Sequence, residues 1–166
     1  MTIDTRKLFE SLHKEYYPMV LRLCLGFVKG DHDLSKDLTQ EVFINTWKAL
    51  DKFQGASTNK TWIYRITVNT CLKYIRDKKS KQHVSIETVS QATEECAATN
   101  ESDYRSLYRA IGQLNEVDSL IIMMVLDDMQ YEEIASVVGI SAVNLRVKIH
   151  RIKKDLKKLI GNGQFI

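Results

Sequence analysis

Residues 131–159 read YEEIASVVGISAVNLRVKIHRIKKDLKKL. Helical spacing of the apolar residues predicts a short helix at Tyr131–Val138. The side chains expected on its buried side are Tyr131, Ile134 and Val138. Gly139 then supplies a tight turn, and Ser141 is a natural N-cap for a longer helix at Ala142–Leu159. A short helix, a glycine turn and a longer helix together predict a helix-turn-helix.

The longer helix separates an apolar face from a basic one. Its apolar stripe consists of Leu145, Ile149, Ile152, Leu156 and Leu159. The range Leu145–Lys158 holds seven basic residues against Asp155 alone. A run of lysine and arginine is often no more than a solvated surface. The helix-turn-helix in front of it favours DNA binding, with this helix in the major groove.

Side chains on this helix suit different parts of a DNA duplex. Val143 and Val147 lie one turn apart outside the apolar stripe, where valine methyls can touch thymine methyls. Asn144 and Lys148 can reach base edges. The side chains better suited to phosphates are Arg146, Arg151 and Lys154.

A second basic helix is predicted at Thr61–Lys79, TWIYRITVNTCLKYIRDKK. Its polar stripe consists of Arg65, Asn69, Lys73 and Arg76, with Trp62 at the edge. Such side chains can bind bases or phosphates, and Trp62 can stack on an unpaired base. The alternative places Trp62 in the hydrophobic core, which is the commoner environment of a tryptophan.

The helix predicted within Asp33–Phe53 has a different surface. Its packing stripe consists of Leu38, Val42, Thr46 and Ala49. The opposite side carries Asp37, Gln40, Glu41, Ile44 and Lys48. An acidic, polar patch around an exposed isoleucine suits a protein partner better than DNA. An ordinary solvated helix face is the alternative.

Charge and composition divide the chain into three parts. Residues 1–80 hold 14 Lys/Arg and nine Asp/Glu, residues 81–103 hold one and five, and residues 104–166 hold nine and seven. The middle part is rich in Ser, Thr, Glu and Ala, which is typical of a linker. Most of the remaining sequence has helical periodicity. We therefore expect an all-α protein with two small helical domains, 1–80 and 104–166, joined by a flexible acidic linker at 81–103.

The same periodicity places one more helix before the helix-turn-helix. Asn115 can N-cap this helix. Its apolar face is expected to carry Val117, Leu120, Ile121 and Met124. The two basic patches, one in each domain, indicate contact with a polyanion at two places.

Several other classes of protein are disfavoured. No apolar run approaches the roughly 20 residues of a membrane span, and the N-terminus lacks the apolar segment of a signal peptide. Cys24, Cys71 and Cys96 are too widely spaced to indicate disulfides or a zinc site, so a reducing cytoplasm is the expected location. The histidines are scattered, and the sequence contains no glycine-rich phosphate loop. We expect no cofactor, no metal and no enzymatic activity.

Two stretches of the chain carry a family resemblance. The stretch DLTQEVFINTWKALDKF at 37–53, followed by KTWIYRITVNTCLKYIRDKK at 60–79, resembles the second domain of bacterial sigma factors of the extracytoplasmic-function (ECF) type, in the sigma-70 family. YEEIASVVGIS followed by LRVKIHRIKKDL resembles the fourth domain. The resemblance covers essentially the whole chain, in the right order. It implies a dissociable subunit that binds core RNA polymerase, recognises −10 and −35 promoter DNA and assists strand opening.

The resemblance also implies roles for individual residues. The residues implied to bind the β′ clamp helices of core polymerase are Asp37, Gln40, Glu41 and Asn45. The −10 element, which is partly single-stranded, is expected to bind a base-accepting loop and the helix after it. The residues implied are Gln54, Ser57, Asn59, Lys60, Trp62, Arg65, Asn69, Lys73 and Arg76. The residues implied to bind the double-stranded −35 element are Ser141, Val143, Asn144, Arg146, Val147, Lys148, Arg151 and Lys154.

Further expectations follow from the same resemblance. The linker is expected to thread into polymerase, where its acids can mimic nucleic-acid charge: Glu87, Glu94, Glu95, Glu101 and Asp103. An anti-sigma factor is a typical partner in the family. The chain departs from the family pattern at Asn115, where family members often have a proline. It also departs at Asn144 and Val147, where they often have a glycine and a small or basic residue. The sequence of the −35 element is therefore not implied.

Two other functions stay open from the residues alone. An autonomous helix-turn-helix repressor or activator, with the N-terminal part as a sensor or dimerisation domain, would bind duplex DNA tightly by itself. A sigma factor would bind promoter DNA weakly alone and specifically with core polymerase. An enzyme would show turnover that depends on one of the histidines.

Overall fold

The computed structural model describes residues 3–82 and 107–161. Within these ranges the chain forms helices and turns and no strand, which confirms the all-α prediction. The helices are α1 Ile3–Phe27, α2 His32–Leu50, α3 Asn59–Gln82, α4 Glu116–Leu126, α5 Tyr131–Val138 and α6 Ala142–Ile160. Residues 107–111 are also helical. Apart from residues 81 and 82, which belong to α3, the predicted linker lies outside the described residues.

The chain divides into two compact units, and the first contains α2, α3 and most of α1. Within it, α2 packs against α3. Phe9 of α1 contacts Trp47 of α2 edge to face, with the ring centroids 4.9 Å apart. The buried side chains at the centre of this unit include Leu12, Leu23, Leu38, Val42, Phe43, Ile63, Tyr64 and Val68. The predicted packing stripe of α2 is thus buried at Leu38, Val42 and Thr46 and half-buried at Ala49, and apolar burial extends to Phe43.

Buried threonines of α2 and α3 satisfy their hydroxyls locally. Thr39 and Thr46 donate to the carbonyl oxygens of Ser35 and Val42, at 2.7 and 2.8 Å. Thr67 donates in the same way to the carbonyl oxygen of Ile63, at 2.8 Å. A bond to the carbonyl four residues back leaves no buried hydroxyl unpaired. These threonines can therefore sit in an apolar interface between helices.

In the second unit, α4, α5 and α6 all pack against one another. The burial of α4 runs continuously from Ser119 to Met124, so its buried surface is broader than the single face predicted. The prediction for the buried side of α5 is confirmed at Ile134 and wrong at Tyr131 and Val138, which are half-buried. The other buried residues of this helix are Ala135 and Val137. Because α5 contacts both α4 and α6, its buried arc covers positions that a one-sided helical pattern assigns to solvent.

Local signals at the helix ends match the structure closely. Asn115 caps α4, its side-chain oxygen accepting from the backbone N–H of Asp118 at 2.9 Å. Ser141 caps α6, its hydroxyl accepting from the backbone N–H of Asn144 at 3.2 Å. Gly139 ends α5 at φ 79°, a left-handed conformation that favours glycine. The helix-turn-helix is therefore confirmed at the predicted residues.

Candidate nucleic-acid and polymerase interfaces

The outer face of α6 combines exposed apolar and polar side chains. Val143 is 67% exposed and Val147 is 49% exposed, although both are valines of a well-packed unit. The opposite side of the helix is buried at Leu145, Ile149, Ile152 and Leu156, as predicted, and only Leu159 of the expected stripe is exposed. Among the polar residues of α6 predicted to bind DNA, those that are exposed are Asn144, Arg146, Arg151 and Lys154. This face is a mixed surface with methyl groups, one amide and several cations.

Arg146 is joined to the first helix of the motif. Its guanidinium donates to Oε1 of Glu132 at 2.7 Å, and both side chains are more than half exposed. An exposed ion pair of this kind contributes little to stability and exchanges readily. Arg146 can therefore leave Glu132 for a phosphate.

Lys148 lies in a different environment from the other cations. Its Nζ is 2.5 Å from Oδ1 of Asp118 in α4, and the two side chains are only 36% and 17% exposed. Any contact of Lys148 with a base edge is therefore made by an ammonium that is already paired with Asp118. Helical periodicity does not predict this ion pair, because Asp118 and Lys148 are 30 positions apart in the sequence.

An open groove runs along this part of the second unit. Its lining consists of Asp118, Asn144, Val147, Lys148, Arg151 and Asp155. Four of these six belong to the residues predicted to bind DNA. The structure thus brings Asn144, Val147, Lys148 and Arg151 together on one surface.

The basic side of α3 is exposed at Asn69, Lys73 and Arg76, while Arg65 is half-buried. Trp62, at the start of this helix, is half-buried as well. Its ring stacks on Phe53, with centroids 4.4 Å apart and planes inclined by 29°. Trp62 is thus neither a fully enclosed core residue nor a free stacking platform.

The remaining residues assigned to the −10 element lie in the loop before α3 and in the first turn of α3, which begins at Asn59 and not at Thr61 as predicted. Gln54 and Asn59 are exposed, and Ser57 and Lys60 are half-buried. Thr58, which is not among the predicted site residues, ends this loop. Its hydroxyl accepts from the backbone N–H of Thr61 at 3.1 Å, as an N-cap does. A threonine three residues before another threonine, directly ahead of a helical pattern, was the signal that could have identified it.

The exposed side of α2 matches the predicted patch at most positions. Asp37, Gln40 and Glu41 are exposed, and Ile44 is 46% exposed among them. Asn45 is different, because it is half-buried and its amide donates to Oγ1 of Thr70 in α3 at 3.1 Å. In the structure Asn45 therefore links α2 to α3 through a hydrogen bond, a structural role that the sequence did not indicate.

The described residues contain no helix that combines the length and apolarity of a membrane span.

Two solved structures share the fold of this chain. The sigma factor RpoE of Bartonella quintana, in complex with the anti-sigma factor NepR, superposes with a TM-score of 0.74 at 20% identity, covering 93% of this chain and 97% of that one. CnrH, in complex with the cytosolic domain of CnrY, gives a TM-score of 0.66 at 20% identity, covering 96% and 91%. At this level of identity the likeness is one of fold.

The sequence comparisons identify the family. Residues 12–81 match Sigma-70 region 2, and residues 104–156 match Sigma-70, region 4. The RNA polymerase sigma factor YlaC of Bacillus subtilis strain 168 is 28% identical, covering 92% of this chain and 92% of that protein. The ECF RNA polymerase sigma-E factor of Escherichia coli K12 is 30% identical, covering 91% and 85%. The chain therefore belongs to the ECF sigma factors of the sigma-70 family, which act with core RNA polymerase in promoter-specific initiation of transcription.

Proposed function

We propose that this chain directs polymerase to promoters through three separate surfaces, one for core polymerase, one for the −10 element and one for the −35 element. The observation that carries the proposal is the exposure of Val143 and Val147 on the outer face of α6. Two exposed valines beside an amide and several cations suit a major groove, where thymine methyls, base edges and phosphates lie close together.

The −35 surface lies on α6. The side chains that contact base edges are Val143, Asn144 and Val147. Ser141, the N-cap, lies where the start of α6 meets the duplex. The cations that hold the phosphates are Arg146, Arg151 and Lys154. Lys148 belongs to the base-reading group.

The −10 surface combines the loop before α3 with the exposed side of α3. The loop and the first turn of α3, through Gln54, Ser57, Asn59 and Lys60, accept an unstacked base next to Trp62. The helix holds the strand through Arg65, Asn69, Lys73 and Arg76. Unstacking a base costs a few kcal/mol, and contact with an aromatic ring returns about 1–3 kcal/mol per base. Capture of bases can therefore contribute to strand opening.

The core-polymerase surface is the exposed side of α2 around Ile44. Asp37, Gln40 and Glu41 contact the β′ clamp helices, and Asn45 supports the surface from its bond to Thr70. The domain boundaries we propose are 1–80 for the part that holds these first two surfaces, 81–103 for the acidic linker inside polymerase and 104–166 for the −35 reader.

We further propose that the chain acts in the cytoplasm, catalyses no reaction itself and is held inactive by an anti-sigma factor. Support for such a partner comes from the sigma factor RpoE of Bartonella quintana, which has the same fold and was solved in complex with the anti-sigma factor NepR. Affinity capture of the tagged full chain from its own cells tests this proposal. Recovery of polymerase with a small second protein supports it, and recovery of polymerase alone in resting cells contradicts the anti-sigma part.

Transcription reconstituted with purified core polymerase tests the three surfaces. The double variant Asp37→Asn, Gln40→Ala should lose core binding while keeping the wild-type unfolding midpoint. Asp51→Asn, which removes an exposed charge just after α2, is the matched control and should bind normally. An unchanged affinity for core in the double variant would show that this side of α2 is not the docking surface.

The same reconstitution separates a sigma factor from an autonomous repressor or activator. The free chain should bind a promoter duplex weakly and the holoenzyme specifically. Tight, specific binding by the free chain, unaffected by core polymerase, would favour the autonomous regulator instead.

A further inference from the structure

Lys148 and Asp118 form an ion pair inside the surface that we assign to the −35 element. Asp118 lies in α4 and Lys148 in α6, and both line the groove that also contains Asn144, Val147 and Arg151. Nζ of Lys148 is 2.5 Å from Oδ1 of Asp118. In the part of the chain that the structure describes, this oxygen is buried and has no hydrogen-bond partner, so the ion pair with Lys148 is the polar contact that compensates it. Oδ1 of Asp118 thus depends on the ammonium of Lys148.

Asp118 is itself held in place by the cap of α4. Its backbone N–H donates to Oδ1 of Asn115 at 2.9 Å, and its Oδ2 accepts from Nδ2 of Asn115 at 2.7 Å. The carboxylate also lies in the first turn of α4, where a helix favours negative charge. Two hydrogen bonds and the helix end therefore fix this anion before any DNA arrives.

The pair changes what Lys148 can do on a duplex. A free lysine is a flexible cation that neutralises whichever phosphate is near, without reading sequence. A lysine paired with a fixed carboxylate keeps its ammonium in one place, but the charge of that ammonium is already compensated. The neighbouring carboxylate also repels a phosphate that approaches the groove. Such a lysine is suited to a base-edge acceptor and unsuited to the backbone.

We propose that Asp118 is a specificity-determining positioning residue, which aims Lys148 at a base edge of the −35 element and keeps it from binding a phosphate. This inference rests on the proposed role of α6 as the −35 reader. It adds a residue outside the recognition helix to the determinants of promoter choice. It also assigns Lys148 a role different from that of Arg146, Arg151 and Lys154.

The test uses the full chain in a reconstituted holoenzyme and the variant Asp118→Asn. This change removes the charge but keeps the backbone N–H that Asn115 accepts, and it keeps a side-chain oxygen for Nδ2 of Asn115. Binding is measured at several salt concentrations on two promoter duplexes. One carries a −35 sequence selected by the wild-type holoenzyme from a randomised library, and the other carries a scrambled −35 sequence.

In Asp118→Asn, the released Lys148 should bind phosphate on both duplexes. The slope of log affinity against log salt should then steepen by about 0.9, the value expected for one additional phosphate contact. The preference for the selected duplex should fall roughly tenfold, as expected for one lost base contact. The double variant Asp118→Asn, Lys148→Met should return to the wild-type salt slope while keeping the lowered preference.

Asp155→Asn is the matched control, because Asp155 lines the same groove and pairs with Lys158 rather than with Lys148. It should leave the preference between the two duplexes unchanged. Equal effects of Asp118→Asn and Asp155→Asn would overturn the inference in favour of general repulsion. Weaker binding of Asp118→Asn to both duplexes at an unchanged slope would overturn it in favour of a structural role. If the wild-type holoenzyme selects no −35 sequence at all, the proposed role of α6 fails, and the inference fails with it.

Discussion

Asn45 in α2 donates a hydrogen bond from its side-chain amide to Oγ1 of Thr70 in α3, at 3.1 Å. Thr70 in turn donates to the backbone carbonyl of Ile66 at 2.8 Å, so its hydroxyl both accepts and donates. The bond joins the helix proposed to dock on polymerase to the helix proposed to hold the −10 strand. The relative position of these two surfaces therefore depends in part on one amide.

Asn45→Ala should lower the free energy of unfolding by about 1 kcal/mol, since it removes one half-buried hydrogen bond and leaves Thr70 with an open acceptor. Urea unfolding of the full chain measures this. Gln40→Ala, an exposed neighbour on the same helix, should leave the stability unchanged. If Asn45→Ala instead keeps full stability and loses core binding, then Asn45 acts as a direct polymerase contact.

Ser141 offers a test that separates capping from DNA contact. Ser141→Ala should lower the free energy of unfolding by roughly 0.5–2 kcal/mol, because the N–H of Asn144 loses its acceptor. Ser141→Asp should keep the cap and the stability, since aspartate caps as well as serine. Its added negative charge should nevertheless weaken −35 binding, which a duplex-binding titration of the holoenzyme would detect. Normal binding by Ser141→Asp would place this residue away from the phosphates.

Val147 can be tested with modified DNA. If its exposed methyls touch a thymine methyl, replacing thymine by uracil in the selected −35 duplex should weaken wild-type binding several-fold, in line with the apolar contacts that distinguish thymine. Val147→Ala should bind the two duplexes almost equally. The same substitution at Leu159, also exposed on α6 but in its last turn, is the control and should retain the preference for thymine. Equal binding of thymine and uracil duplexes by the wild type would contradict the methyl contact.

Cys71 predicts a dependence of stability on alkaline pH. Cys24 and Cys71 are buried free cysteines. The hydrogen bond with Cys24 and burial raise the pKa of the Cys71 thiol well above its ordinary value. Below the ordinary thiol pKa, about 8.5, both folded and unfolded chains keep this proton. Above it, the unfolded chain loses the proton first, so the free energy of unfolding should fall as pH rises.

Urea unfolding between pH 8 and pH 10 measures this fall, in a Cys96→Ala background that leaves only the two buried thiols. The contribution of Cys71 is at most about 1.4 kcal/mol per pH unit. The double variant Cys24→Ala, Cys71→Ala should flatten the decline relative to the parent, because the single change would leave Cys24 as a buried thiol. Parallel pH profiles of the two proteins would show that this buried pair does not titrate differently on unfolding.

Features set by neighbouring residues could be predicted from the sequence. The caps at Asn115 and Ser141 and the turn at Gly139 depend on backbone groups only a few positions away, and each was predicted at the right residue. The exposed faces of α2 and α6 followed equally well from periodicity. The assignment of particular residues to polymerase, to the −10 element and to the −35 element remains a proposal.

Features set by distant partners could not be predicted. The amide of Asn45 bonds to a hydroxyl 25 positions away, and Lys148 pairs with an acid on another helix. The buried side of α5 depends on two neighbouring helices rather than on its own eight residues. Periodicity shows which side of a helix is polar, but it does not show which polar groups bond to one another.

The stacking of Trp62 on Phe53 has a practical consequence. One face of the indole lies against a fixed ring, while the side chain stays half-exposed beside the loop at Gln54–Lys60. Indole emission responds to polarity and to stacked bases. In a Trp47→Phe variant, Trp62 is the only tryptophan of the chain. If this segment accepts a base as we propose, the fluorescence of Trp62 would report that event in real time, and the protein would carry its own optical probe of promoter opening.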